Sequence, residues 1–129
     1  MKAAIPPHDM TEKVWQQSVS DLFRSLGWRG YHTLRSKGSQ PGYPDLTLAH
    51  PVQRRVMWLE LKSETGTVSD KQREWIRTLA DAGAEVYVVR PRHYQPLASV
   101  LLRPVTPAYE AARGLLLLEL DAITAQEAA

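Results

Sequence analysis

Cysteine is absent from the 129-residue chain. A disulfide framework, a thiolate zinc site, an iron–sulfur cluster and a cysteine nucleophile are therefore excluded. The four histidines stand at positions 8, 32, 50 and 93, and no two are spaced to form a metal pair on one helix face, so zinc fits poorly. A strong excess of one charge is also lacking. The 16 Lys+Arg against 14 Asp+Glu leave +2 and a sequence pI near 9.0, which permits a nucleic-acid partner without arguing for one. No apolar run is long enough to cross a bilayer, and Met1 to Met10, with Pro6-Pro7 and a charge, lacks the apolar stretch of a signal peptide. The expected location is the cytosol of the host cell, or its nucleoid.

What remains is the balance of a folded protein, 43% hydrophobic and 23% charged, at a length that suits one domain. Residues 1–8 read as a loose tail. Asp9 with Glu12 fits an N-cap and its partner three residues on. Trp15, Val19, Leu22, Phe23 and Leu26 then recur at helical spacing, predicting a helix from Met10 to Leu26 that stops at Gly27. Trp28 to Leu34 reads as a short strand and Arg35 to Tyr43 as a solvated loop. Asp45 to Ala49 and Arg55 to Lys62 form a predicted hairpin of strands joined through His50 to Arg54. On the second strand Val56, Trp58, Glu60 and Lys62 share one face, and Met57, Leu59 and Leu61 the other. Ser69 and Gln72 form a capping box for a helix to Ala82, with Gly83 ending it, and Glu85 to Val89 is a buried strand. Gln95 to Leu102 suits a short helix. The run Leu115 to Leu118 is open to three readings: helix, strand or partner-facing surface. The expected architecture is a small α/β sandwich with a mixed sheet.

The chemistry concentrates at Asp45, Glu60 and Lys62. Glu60 and Lys62 are two apart on one strand, and hairpin pairing brings Asp45 to the same end. Two converging carboxylates repel unless a proton or a cation lies between them. All-oxygen ligands suit Mg²⁺ or Mn²⁺, with waters completing the shell. A lysine beside them can orient a water or neutralise charge growing on a phosphate. Phosphodiester hydrolysis is the chemistry this set suits.

The residues Pro44-Asp45 followed by Glu60-Leu61-Lys62 match the Pro-Asp…(Asp/Glu)-x-Lys nuclease superfamily. Their setting is Gly42-Tyr43-Pro44-Asp45-Leu46, Gly66, Ser69-Asp-Lys-Gln72 and Ala82-Gly-Ala-Glu-Val-Tyr-Val-Val-Arg-Pro91. In that order they resemble the VRR-NUC (virus-type replication-repair nuclease) family, over roughly residues 10–103. The resemblance implies a restriction-endonuclease-like αβββαβ core and divalent-metal-dependent DNA cleavage. It implies Asp45, Glu60 and the Leu61 backbone carbonyl as metal ligands, Lys62 as the residue that positions the attacking water and steadies the developing charge, and a first-helix Glu or Gln near the metal, matched here by Glu12 and Gln16. It adds an active-site role for Gln72, which its capping role also explains. Small stand-alone members resemble Holliday-junction resolvases and act as homodimers, so branched DNA and a second copy are the expected partners. The resulting division is a flexible tail 1–9, a nuclease domain 10–103 and an extension 104–129 of unknown role.

Single readings for each residue are blander. Pro44-Asp45 is good turn chemistry, and a Glu and a Lys on an edge strand are ordinary. Arg29, Arg35 and Lys37 lead into the 35–43 loop, and Arg54 with Arg55 makes a second basic spot. They read either as solvated basic surface or as phosphate contacts beside the site. His32 is either a phosphate or site contact or a half-buried histidine. Trp15, Trp58 and Trp75 fall in apolar stripes, whereas Trp28 stands where it could meet a partner. A monomeric flap, splayed-arm or non-specific nuclease, and a DNA-binding module with a degraded site, are the alternatives to a junction resolvase.

Overall fold

The computed structural model describes residues 5–34, 40–102 and 107–125. Helix α1 (Glu12–Ser25) is followed by strands β1 (Arg29–His32), β2 (Leu46–His50) and β3 (Arg55–Leu61). Helix α2 (Asp70–Asp81), strand β4 (Glu85–Val89) and helices α3 (Tyr94–Leu102) and α4 (Pro107–Ala125) complete the chain. The four strands form one sheet in the order β1-β2-β3-β4. The first three run antiparallel and β4 lies parallel to β3. A parallel neighbour needs a crossover, and α2 supplies it. This is the αβββαβ order that the sequence predicts, in a mixed sheet flanked by helices. None of the helices described is long and apolar enough to cross a membrane.

The alternation on β3 sorts the sheet into two faces. Met57, Leu59 and Leu61 join Leu46, Leu48, Tyr87 and Val89 against Trp15, Val19 and Phe23 of α1 and Leu97, Val100 and Leu101 of α3. Val86 and Val88 meet Ile76 of α2 on the other face, with Trp58 packed alongside. Each buried side chain of this size contributes about 1.5–3 kcal/mol. The C-terminal helix α4 contributes to both clusters, with Tyr109, Ala112 and Leu116 in the first and Leu120 and Ile123 in the second. Of the leucine run, which is helical, Leu116 is buried while Leu115 and Leu118 face solvent.

Several local details differ from the sequence reading. The N-cap of α1 is Thr11, whose hydroxyl accepts from Val14 N–H at 3.2 Å. Asp9 instead closes a 3-10 turn, Pro7–Asp9, and Met10 is extended, so the helix cannot start at Met10. Trp28 does not face a partner. It is buried, its indole N–H donates to the Leu101 carbonyl at 2.9 Å, and it packs edge-on to His50. The capping box of Ser69 and Gln72 forms as predicted.

Candidate active site

The register of the β2–β3 hairpin pairs Leu46 with Leu59, which leaves Asp45 at the end of β2 beside the end of β3. There the Asp45 carboxylate (Oδ2) accepts from the Leu61 N–H at 2.7 Å. This bond ties the carboxylate to the strand that carries Glu60. On the other flank, Thr33 N–H donates to the Asp45 carbonyl at 2.8 Å, and its hydroxyl donates to the Pro44 carbonyl at 2.7 Å. The segment before Asp45 turns at Gly42, whose φ is +90°. A Cβ there would come within 2.5 Å of the Lys71 backbone, so only glycine lets this loop lie against the first turn of α2.

Glu60 is 0% exposed and Lys62 7%. Lys62 Nζ lies 3.8 Å from Glu60 Oε2. Gln72 Nε2 donates to the same oxygen at 3.3 Å, while Gln72 Oε1 accepts from Ser69 N–H at 2.9 Å. The two ends of one amide thus serve the helix cap and the site. Glu60 Oε1 is buried with no hydrogen-bond partner among the described residues. Burial, and then the charge of Asp45, push the Glu60 carboxyl from its usual 4.5 up to about 9. The Lys62 ammonium opposes this rise and the Glu12 carboxylate adds to it. Ionised carboxylates have no donor for one another, so either a proton or a cation has to satisfy the pair.

A hard cation would answer both observations: a buried oxygen without a donor and a desolvated carboxyl forced beside a second one. Asp45 and Glu60 are the side chains that would hold it, with room for a backbone carbonyl and waters. Among the described residues no three His, Cys, Asp or Glu side chains gather into a metal cluster. The arrangement therefore fits a divalent ion bound by few protein ligands and several waters, and not a closed structural site. Asp45 and Lys62 open onto a cleft of about 630 Å³, whose walls include Thr33, Tyr43, Thr67, Ser69, Lys71 and Gln72. Tyr43 is fixed there by accepting from the Trp58 indole N–H at 2.8 Å and by edge-on contact with Trp75.

The other predicted residues separate into groups. Glu12 is half-buried on α1 and within electrostatic reach of Glu60. Gln16, one turn later, is half-buried and makes no hydrogen bond to Asp45, Glu60 or Lys62 among the described residues. His32 pairs with Leu46, next to Asp45, and its Nε2 is buried without a partner among the described residues. Arg35 and Lys37 lie outside the described residues.

The second basic spot is not beside the site. Arg54 and Arg55 stand at the opposite end of β3 from Glu60 and Leu61, about 20 Å away along the strand. Arg54 is an exposed turn residue with φ +57°. Arg55 is committed to the fold: it donates to Glu85 Oε2 at 2.5 Å and to the Val100 carbonyl at 2.8 Å, with its guanidinium over the rings of Trp28 and Tyr109. Arg29 is exposed, but it pairs with Ala49 at the same remote end. Of the cleft residues, Thr33 carries no motif signal, whereas Tyr43 and Lys71 stand inside the quoted motifs without being singled out for a role.

Comparison with known proteins agrees with this geometry. A profile of the VRR-NUC domain matches residues 10–93. The chain belongs to the VRR-NUC family. A solved structure described as a VRR_NUC domain superposes with a TM-score of 0.53 at 25% identity, covering 63% of this chain and 86% of that one. Among curated proteins, the Fanconi-associated nuclease 1 homologs of Caenorhabditis elegans and Caenorhabditis briggsae are 40% and 38% identical over 52 residues. That stretch is 40% of this chain and 6% of each relative's length. The matched 10–93 segment of this VRR-NUC domain contains Asp45, Glu60, Lys62 and Gln72, and it ends before α3 and α4.

Proposed function

We propose that this VRR-NUC domain is a divalent-metal-dependent, structure-selective DNA endonuclease. The observation that carries the reading is Glu60: a fully buried carboxyl with one unpartnered oxygen, set beside Asp45 and Lys62 at an open, lysine-lined cleft. A fold gains nothing in stability from burying such a group, and a buried acid held behind two cleft-lining groups, Asp45 and Lys62, is a candidate working site. The family membership and the two nuclease relatives point the same way.

Asp45, Glu60 and the Leu61 carbonyl would hold Mg²⁺ or Mn²⁺. The chemistry such an ion supplies is polarisation of the phosphoryl oxygen and a more acidic water. The protein's own groups do the rest. The Leu61 N–H keeps Asp45 aimed at the strand end. Gln72 holds Glu60 Oε2, leaving Oε1 for the ion. Lys62 orients the attacking water and offsets the charge that grows on the phosphate. Glu12, whose charge acts on Glu60, or Gln16 one turn later completes the surround from α1. Lys71, exposed on the cleft wall, contacts the phosphate backbone.

Branched DNA is the proposed substrate and a homodimer the proposed working form, since a four-way junction has the two-fold symmetry of an isologous pair. The test is a panel of labelled four-way junction, flap and linear duplex with Mg²⁺, Mn²⁺ or EDTA, run beside a concentration series of mass measurements. Paired symmetric nicks in the junction by a dimer, lost in EDTA, are expected. Metal-dependent cutting of every DNA by a monomer would overturn the junction preference, and binding without cutting in either metal would overturn the enzyme.

A further inference from the structure

The turn that carries the chain away from Lys62 is held from behind. Arg90, the residue after β4, donates from one guanidinium nitrogen to the Ser63 carbonyl at 2.7 Å and to the Gly66 carbonyl at 2.6 Å. Gly66 lies along the stem of Lys62: a Cβ at this glycine would stand 3.6 Å from Lys62 Cδ. The other side of the same guanidinium donates from Nε to Glu119 Oε1 at 2.9 Å. The second Glu119 oxygen accepts from Arg92 at 3.0 Å, and Arg92 in turn binds Glu64 inside the turn at 3.2 Å. Arg90 and Glu119 are both largely buried, with side chains 12% and 16% exposed. Glu119 belongs to α4, beyond the 10–93 segment that carries the family match.

We propose that Glu119 is a positioning residue: through Arg90 it fixes the Ser63–Gly66 turn, and through that turn it fixes the aim of Lys62 into the cleft. The role rests on the nuclease reading of the Asp45–Glu60–Lys62 centre. A lysine stem has four rotatable bonds, and its ammonium is useful only where the packing around the stem selects one path. The planar arginine fork holds two carbonyls from one nitrogen and a carboxylate from another, a spread of donors that the single nitrogen of a lysine at position 90 does not have. The C-terminal helix is thereby part of the site's support as well as of the core.

The test uses the full chain with Glu119→Ala and Glu119→Gln, and Arg90→Lys as a second route to the same contact. Three quantities are measured: thermal stability, kcat and KM on whichever DNA the wild type cuts, and the ¹³Cε signal of Lys62 at one fixed pH, assigned by its loss in Lys62→Arg. Glu119→Ala is expected to lower kcat about 10-fold with KM within about twofold, and to move the Lys62 signal. Glu119→Gln keeps one acceptor for Arg90 and is expected to recover part of both. An unmoved Lys62 signal, or unchanged kcat with lowered thermal stability, would overturn the proposal and leave Glu119 a brace of the fold. If Glu119→Ala does not fold, Glu119→Gln and Arg90→Lys decide by the same readouts. If the wild type cuts no DNA, the nuclease reading fails, and the Lys62 signal alone decides whether Glu119 positions that side chain.

Discussion

The side-chain amide of Gln72 bridges two tasks: its oxygen accepts from Ser69 N–H at 2.9 Å and its nitrogen donates to Glu60 at 3.3 Å. The first bond fixes which end of the amide is which, so the second is a donor pointing at a buried acid. Ser69→Ala removes a cap and is expected to cost about 1 kcal/mol while leaving the donor to Glu60 in place. Gln72→Ala keeps the backbone N–H that the Ser69 hydroxyl accepts but removes the reciprocal bond to Ser69 N–H and the donor to Glu60, so at matched loss of stability it should lower cleavage further than Ser69→Ala. Denaturation curves and cleavage rates for the two variants test this, and equal rates would reduce Gln72 to a cap.

Glu60 gives the metal-free protein a pH dependence of known sign. Its carboxyl ionises near 4.5 in the unfolded chain and near 9 in the fold, through burial first and the charge of Asp45 second. Between those values the folded state binds the extra proton, so this group makes stability fall as pH rises from about 4.5 to about 9. Glu60→Gln should remove that fall and melt higher than wild type at pH 8 without metal. Melting curves from pH 5 to pH 8 in EDTA check it, with the same slope in both proteins as the contrary result.

A divalent ion must compete with that proton. Mg²⁺ or Mn²⁺ is therefore expected to raise the melting temperature of the wild type more at pH 8 than at pH 5, with proton release on binding. Calorimetry in two buffers of different ionisation enthalpy reads the released protons directly, and Glu60→Gln should show none.

Gly42 and Asp45 are linked through a turn whose first position tolerates no side chain. Gly42→Ala adds a Cβ 2.5 Å from the Lys71 backbone at a φ of +90°. A cost of about 1–3 kcal/mol in stability is expected, together with weaker metal binding as Asp45 shifts. Chemical denaturation and metal titration check the two halves separately.

Arg55 separates structural from DNA-contacting arginines. Arg55→Ala strips the cation from Glu85, whose side chain is 20% exposed and keeps only the Tyr87 hydroxyl among the bonds described, and should destabilise the fold by about 3 kcal/mol. The dependence of DNA affinity on salt should not change where the variant is folded, because Arg55 neutralises no phosphate. A shallower salt slope would return Arg55 to the DNA interface.

What the sequence revealed was what local rules control. Met57, Leu59 and Leu61 alternate with Trp58, Glu60 and Lys62 because one face of β3 joins the larger apolar cluster while the other, also buried at its site end, carries the chemistry. Ser69 and Gln72 mark a helix start within four residues. Asp9 misled as a cap because Thr11, two residues on, offers the same hydroxyl-or-carboxylate acceptor, and only the extended backbone at Met10 decides between them. Arg55 misled because a cation's partner is not written beside it: Glu85 lies 30 residues away in the chain. The Glu119–Arg90–Gly66 linkage is invisible for the same reason, and no periodicity or motif at residues 107–125 announces that α4 reaches the turn after Lys62.

Glu60 and Lys62 are the two groups to which cleavage is assigned. The decisive measurement is single-turnover cleavage of one branched DNA in Mg²⁺ by wild type, Glu60→Gln and Lys62→Ala, with circular dichroism showing each protein folded. Loss of about 10²-fold or more in both variants, with DNA binding retained, is the predicted result. Cleavage at the wild-type rate by either folded variant would contradict the assignment of this centre as the place where the phosphodiester is cut.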